Sequence, residues 1–139
     1  MTESVLARKL ADILSRVSRV RELLPAKLEE FEANRTEAEA LILNLFLALQ
    51  ACSDLALYVV ADRGFGVPAG PRGAYEALVQ AGLLSAPLAR HLAGAVGLRN
   101  RIAHEYGTLD LRLVFEAARD DAPDLEAFVR EMSRAYEPK

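Results

Sequence analysis

Leu98 to Gly107 reads LRNRIAHEYG and sets Arg99, Asn100, His104 and Tyr106 within eight positions. Leu88, Leu92, Ala95 and Val96 upstream, with Ile102 and Ala103 inside the stretch, recur three and four residues apart. That spacing predicts an amphipathic helix ending near Tyr106. At about 100° per residue, Arg99 falls in the middle of the apolar stripe. A charge placed there must be paired or must face a cleft, because an unpaired buried charge is very costly. Tyr106 lies along the same side of the helix as Arg99. His104 points roughly 140° away, with Asn100 one turn before it. Ala86, Ala93 and Gly97 share that second side, which leaves room for another helix to approach Asn100 and His104.

Working outward, Ser85 can cap this helix, with Pro87 in its first turn, and Gly107 can end it in a left-handed conformation. A short helix from about Arg72 to Ala81 precedes it. Gly64 to Pro71 is a loop by composition, and it lacks the Gly-Lys-Ser/Thr end of a phosphate loop. From Leu41 to Val60 the chain is apolar nearly all round, which predicts a central buried helix starting at Asn34 or Thr36 and ending near Asp62. Asn44, Gln50, Ser53 and Asp54 interrupt it, which argues against a membrane span. Asp54 is the expected partner of Arg99. The first helix runs from about Thr2 to Leu24 with Val5, Leu6, Leu10, Ile13, Leu14, Val17 and Leu24 on one face, and Pro25 breaks or kinks it. An acidic connector, or a short helical piece, spans the residues to Ala33. After the central stretch, a last helical region begins at Thr108 or Asp110, is interrupted around Asp120 to Pro123, and resumes to about Tyr136. Nothing reads as a strand, so the fold class is all-α.

With 139 residues, of which 52% are hydrophobic, the chain suffices for a single domain with a real core. One cysteine, Cys52, excludes an internal disulfide and multi-cysteine metal sites. The two histidines, His91 and His104, stand thirteen residues apart, without a metal-ligand pattern. No secretory signal is visible in MTESVLARKL, so a cytoplasmic location is expected. A net charge of -3 argues mildly against a general nucleic-acid binder. A local cluster drawn from Arg63, Arg72, Arg90, Arg99 and Arg101 could still grip a few phosphates.

Arg-Asn-x-x-x-His-x-Tyr at a helix end resembles the signature of HEPN domains, specifically the HepT-like toxins of toxin–antitoxin pairs. The run LFLALQACSDLALYVVADRGFGVP, Leu45 to Pro68, is similar to that family's second helix and following loop, and the likeness covers roughly residues 34 to 137. The resemblance implies an up-and-down bundle of about five helices that forms a homodimer, with two copies of the motif at a shared cleft. It implies metal-independent RNA cleavage without a cofactor. Arg99, Asn100 and His104 would be the catalytic residues, and Tyr106 would position substrate. It also implies a minimal nucleotidyltransferase antitoxin that silences the toxin by transferring AMP to Tyr106, as in type VII-like systems. Many relatives follow the tyrosine with a bulky aromatic, where this chain has Gly107. The alternative reading is a non-catalytic helical binding subunit of a nucleotidyltransferase, favoured by a sequence pI of about 5.4.

Overall fold

α3 (Arg35–Asp62) is the axis of the molecule. Leu41, Leu45, Ala48, Leu55, Ala56, Val59 and Val60 are essentially solvent-free on several of its faces. Such a helix needs neighbours all round, and α1 (Glu3–Leu23), α4 (Pro71–Gln80), α5 (Ala86–His104) and α6 (Leu111–Ala135) supply them. The short α2 (Leu28–Ala33) completes the set. The computed structural model describes residues 3–138, among which there are six α-helices, one 3₁₀ turn and no strand. The expected start of α1 at Thr2 lies outside them. By length and composition α3 is apolar enough to cross a membrane, yet 56% of its most apolar window is buried inside the bundle.

Local chemistry sets the ends of the helices. The Asn34 side chain accepts the Glu37 N–H at 3.2 Å and caps α3. At the other end, Gly64 takes φ 68° while the Phe65 N–H reaches back to the Val60 carbonyl, a left-handed stop that a residue with a Cβ would strain. The Asp110 carboxylate caps α6 through the Arg112 N–H. In the acidic connector, α2 turns Glu29, Glu30 and Glu32 to solvent and buries Phe31, whose ring packs 5.8 Å from that of Phe115 on α6. Phe128, Leu125 and Met132 of α6 close the core, with Phe128 edge-on to Tyr75. Truncating a ring so placed costs about 3–5 kcal/mol.

Several helix ends and faces depart from the sequence expectations. α6 runs unbroken through Pro123. Proline removes one hydrogen bond from the helix, but Pro123 is exposed while Leu125, Phe128 and Val129 beyond it are buried, and their burial holds the helix together. Gly107 is not left-handed: α5 ends at His104, with Glu105 as its cap, and Tyr106–Thr108 form the 3₁₀ turn. Ala103 and Leu14, expected on apolar faces, are exposed, and the α1 stripe runs instead through Val20. Ser85 occupies the cap position of α5 but turns its N–H and Oγ to the Glu131 carboxylate, tying α5 to α6.

Candidate active site

Arg99 sits half-buried on α5 and faces α3. Its Nε donates to Gln50 Oε1 at 2.6 Å, and its guanidinium lies 5.1 Å from the centre of the Phe46 ring. Gln50 passes the chain on, its Nε2 donating to Asp54 Oδ1 at 2.8 Å. The expected Arg99–Asp54 pair is therefore corrected to a relay through an amide. The reason is reach: Gln50 sits one helical turn before Asp54 and stands between it and Arg99, leaving Asp54 at the solvent edge. The consequence is electrostatic. Arg99 is held by a neutral acceptor and an aromatic face, which fix the guanidinium without cancelling its charge.

Asn100 stands beside it, its Oδ1 accepting from Arg99 Nη1 at 3.3 Å, with the rest of the amide exposed. Together with Gln50, Ser53, Ala69, Pro71, Arg72 and Val96 the two residues line a cleft of about 380 Å³ between α3, α4 and α5. Its lining holds two arginines and no carboxylate. His104 follows one turn later as the last residue of α5 and is exposed.

Tyr106 goes elsewhere. Because the helix unwinds at Glu105, Tyr106 does not continue the line from Arg99. It is 47% exposed and borders shallow grooves with Glu39, Ile42, Phe46 and Ile102. Phe46 is the link between the two places, since its ring carries Arg99 and also walls the Tyr106 groove. On the small side of α5, Arg72 lies over Gly97 and donates from Nε to the Ala93 carbonyl at 3.2 Å, so part of that side is covered by an arginine of the same chain. Of the other expected cluster members, Arg63 stacks 4.4 Å from the Tyr136 ring and bonds to the Ala135 carbonyl, a structural tie between the ends of α3 and α6. Arg90 is exposed. Arg101 faces an acidic groove on the other flank of α5. Among the described residues, no cluster of His, Cys, Asp and Glu is placed to hold a metal.

Sequence reasoning missed the roles of Gln50 and Phe46, and it placed Arg72 in the phosphate-gripping cluster without its tie to α5. The available signal was the glutamine in an apolar helix facing an arginine in an apolar stripe. For Arg72 it was the pair Ala93 and Gly97, small residues one turn apart.

The six-helix bundle is that of a HEPN-type domain. The chain belongs to the HepT-like ribonuclease family, whose model, described as Ribonuclease HepT-like, matches residues 13–132. It is 29% identical over 125 residues to the mRNA nuclease HepT of Shewanella oneidensis, covering 90% of this chain and 93% of that protein. The fold superposes with a TM-score of 0.86 on the tri-AMPylated Shewanella oneidensis HEPN toxin in complex with its MNT antitoxin, at 28% identity over 96% of this chain and 99% of that one. A toxin–antitoxin complex with AMP-PNP gives a TM-score of 0.83 at 27% identity, over 95% of this chain and 99% of that one.

Proposed function

We propose that this chain is a ribonuclease toxin that cleaves RNA without a metal and is neutralised by a minimal nucleotidyltransferase antitoxin. The observation that carries the reading is the un-neutralised Arg99, aimed by Gln50 and Phe46 into a carboxylate-free cleft, with an exposed His104 one turn on. The chemistry needs little else. The ribose 2′-oxygen attacks the adjacent phosphorus as His104 takes its proton. The P–O5′ bond breaks, and the leaving oxygen gains a proton from a second acid. Arg99 counters the charge that builds on the phosphoryl oxygens, and Asn100 orients Arg99 or the phosphate. The products are a 2′,3′-cyclic phosphate and a 5′-hydroxyl.

One histidine cannot give and take a proton in the same step, so a second copy of the chain completes the site. We read the chain as a single HEPN domain over residues 1–139 that acts as a homodimer in the cytoplasm, with the two His104 side chains near a shared cleft. The exposed His104 at the end of α5 supports that reading. Tyr106 is the proposed AMP acceptor. Its hydroxyl is reachable, and the adjoining groove at Ile42, Leu43 and Phe46 offers an apolar floor for a nucleotide base. The relatives support both halves, one named an mRNA nuclease and one a tri-AMPylated toxin bound to an MNT antitoxin.

The test incubates the purified chain with RNA in EDTA and analyses the new ends. Cleavage to 2′,3′-cyclic phosphate is the expected result. Intact RNA, with growth unaffected by the unaccompanied chain, would favour the non-catalytic binding subunit. With the antitoxin and ATP, intact mass should rise by AMP units in the parent and stay unchanged in Tyr106→Phe. An equal rise in Tyr106→Phe would place the modification elsewhere.

A further inference from the structure

Arg72 is the second cation of the Arg99 cleft, and the reaction as written leaves it unused. It is the second residue of α4, outside the motif. Its side chain crosses to α5, where Nε is fixed by the Ala93 carbonyl and the guanidinium tip lies over Gly97. One of its five N–H groups is thereby committed; the others point to solvent or the cleft. Among the described residues no carboxylate pairs with Arg72 or Arg99, and none lines the cleft.

Position along α5 gives this arrangement a direction. Ala93, Gly97, Asn100 and His104 are spaced four, three and four apart, so they form one ridge of the helix. Arg72 covers the Gly97 end and His104 stands at the other, about 10 Å further along the axis. Arg99 flanks the ridge between them. With the scissile phosphate at Arg99 and His104, a strand laid along the ridge brings a neighbouring phosphate to Arg72. A flexible lysine would search for that phosphate. An arginine pinned through Nε presents its outer edge already oriented.

The geometry points to Arg72 as a phosphate-contacting residue of an RNA subsite, holding the backbone phosphate next to the one that is cut. This inference rests on the ribonuclease reading. It makes the substrate a single strand long enough to reach both arginines, and it gives Arg72 a binding role and leaves the proton transfers to other groups.

The experiment measures binding of a single-stranded RNA oligonucleotide by full-length His104→Ala protein, silenced for cleavage, over a range of salt. Each phosphate contact on a single strand contributes about 0.7 to the slope of log K against log salt. Arg72→Gln should flatten the slope by about 0.7 and weaken binding about fivefold near 0.1 M salt. In the cleaving background it should raise KM more than it lowers kcat. Arg72→Lys loses the Nε bond to Ala93 but keeps the charge, so it should recover most of the slope if the contact is to phosphate. If Arg72 merely braces α4 against α5, the Lys and Gln variants should behave alike. An unchanged slope in folded Arg72→Gln, or a Lys variant no better than Gln, overturns the subsite while parental cleavage leaves the ribonuclease reading standing. A parent that neither binds nor cuts RNA defeats the ribonuclease reading itself.

Discussion

The two flanks of α5 treat their charges in opposite ways. On the α3–α4 side, Arg99 and Arg72 are held by Gln50, Asn100, a ring and a backbone carbonyl, all neutral groups. On the α6 side, a groove collects Asp120, Asp121 and Asp124 around His91 and Arg101, with His91 Nδ1 3.3 Å from Asp124 Oδ1. Burial, followed by the negative charges of Asp124 and Asp120, pushes the Asp121 carboxyl up to about 6, with His91 opposing. One flank therefore keeps positive charge available for a polyanion, and the other repels it. The lesson is that a net charge of -3 does not decide whether a chain can hold RNA. What decides is whether the cations at the cleft are fixed by dipoles or cancelled by carboxylates.

Removing the central cation should have the largest effect of the changes that test this contrast. Arg99→Ala should lower RNA cleavage by about 10²–10³-fold, the scale for losing one group that stabilises developing charge. The fold should lose about 1–2 kcal/mol, from the Gln50 hydrogen bond and the Phe46 contact, read as a fall of about 3–6 °C in Tm. A much larger fall would mean that Arg99 also supports the core in a way its half-exposed position does not suggest. Giving the cleft the character of the other flank should come next. Gln50→Glu is nearly isosteric and offers Arg99 an ionic partner. Cleavage should drop about tenfold, because the pair neutralises the charge the phosphate needs, while Tm changes little, since the new pair is offset by the lost hydrogen bond to Asp54 and the repulsion between the two carboxylates. Unchanged cleavage in Gln50→Glu would break the claim that neutral partners matter.

Most of the fold was legible because it depends on runs of apolar residues. The Leu41 to Val60 stretch had to be a core helix, while for the ends side-chain chemistry narrows the cap of α3 to Asn34 or Thr36 and the start of α6 to Thr108 or Asp110, of which the structure uses Asn34 and Asp110. What was not legible depended on contacts between distant segments. Pro123 read as a break because sequence cannot weigh a lost hydrogen bond against the burial of Phe128 further along. Projection onto an ideal helix placed Arg99, Asn100 and His104 usefully but failed for Tyr106, since the unwinding at Glu105 carries no local signal as strong as a glycine or proline. Charge pairing favours Asp54 over Gln50 as the partner of Arg99, and only the packed structure shows that the Gln50 amide stands nearer.

The acidic flank offers the smallest effect. A carboxyl whose folded pKa lies above its unfolded value near 3.8 binds its proton more tightly in the native state. Stability is therefore lost as pH rises from about 4 to about 6, and the loss persists above that. Asp121→Asn should stabilise the chain at pH 7.5 by on the order of 1 kcal/mol, after discounting for partial exposure. The gain should vanish near pH 4, and RNA cleavage should not fall. Melting curves at both pH values check the sign. A variant less stable at pH 7.5 would mean that the ionised carboxylate is the form the groove needs.

The account stands most directly on His104. Its ring is exposed, so His104→Ala should leave Tm within about 2 °C of the parent. Single-turnover cleavage of one RNA in EDTA by parent and variant is the deciding measurement. Loss of a general acid–base group predicts a rate about 10²–10⁴-fold lower, with no 2′,3′-cyclic ends formed in the time the parent needs to finish. A His104→Ala protein that cuts the same RNA at the parent's rate would contradict the account.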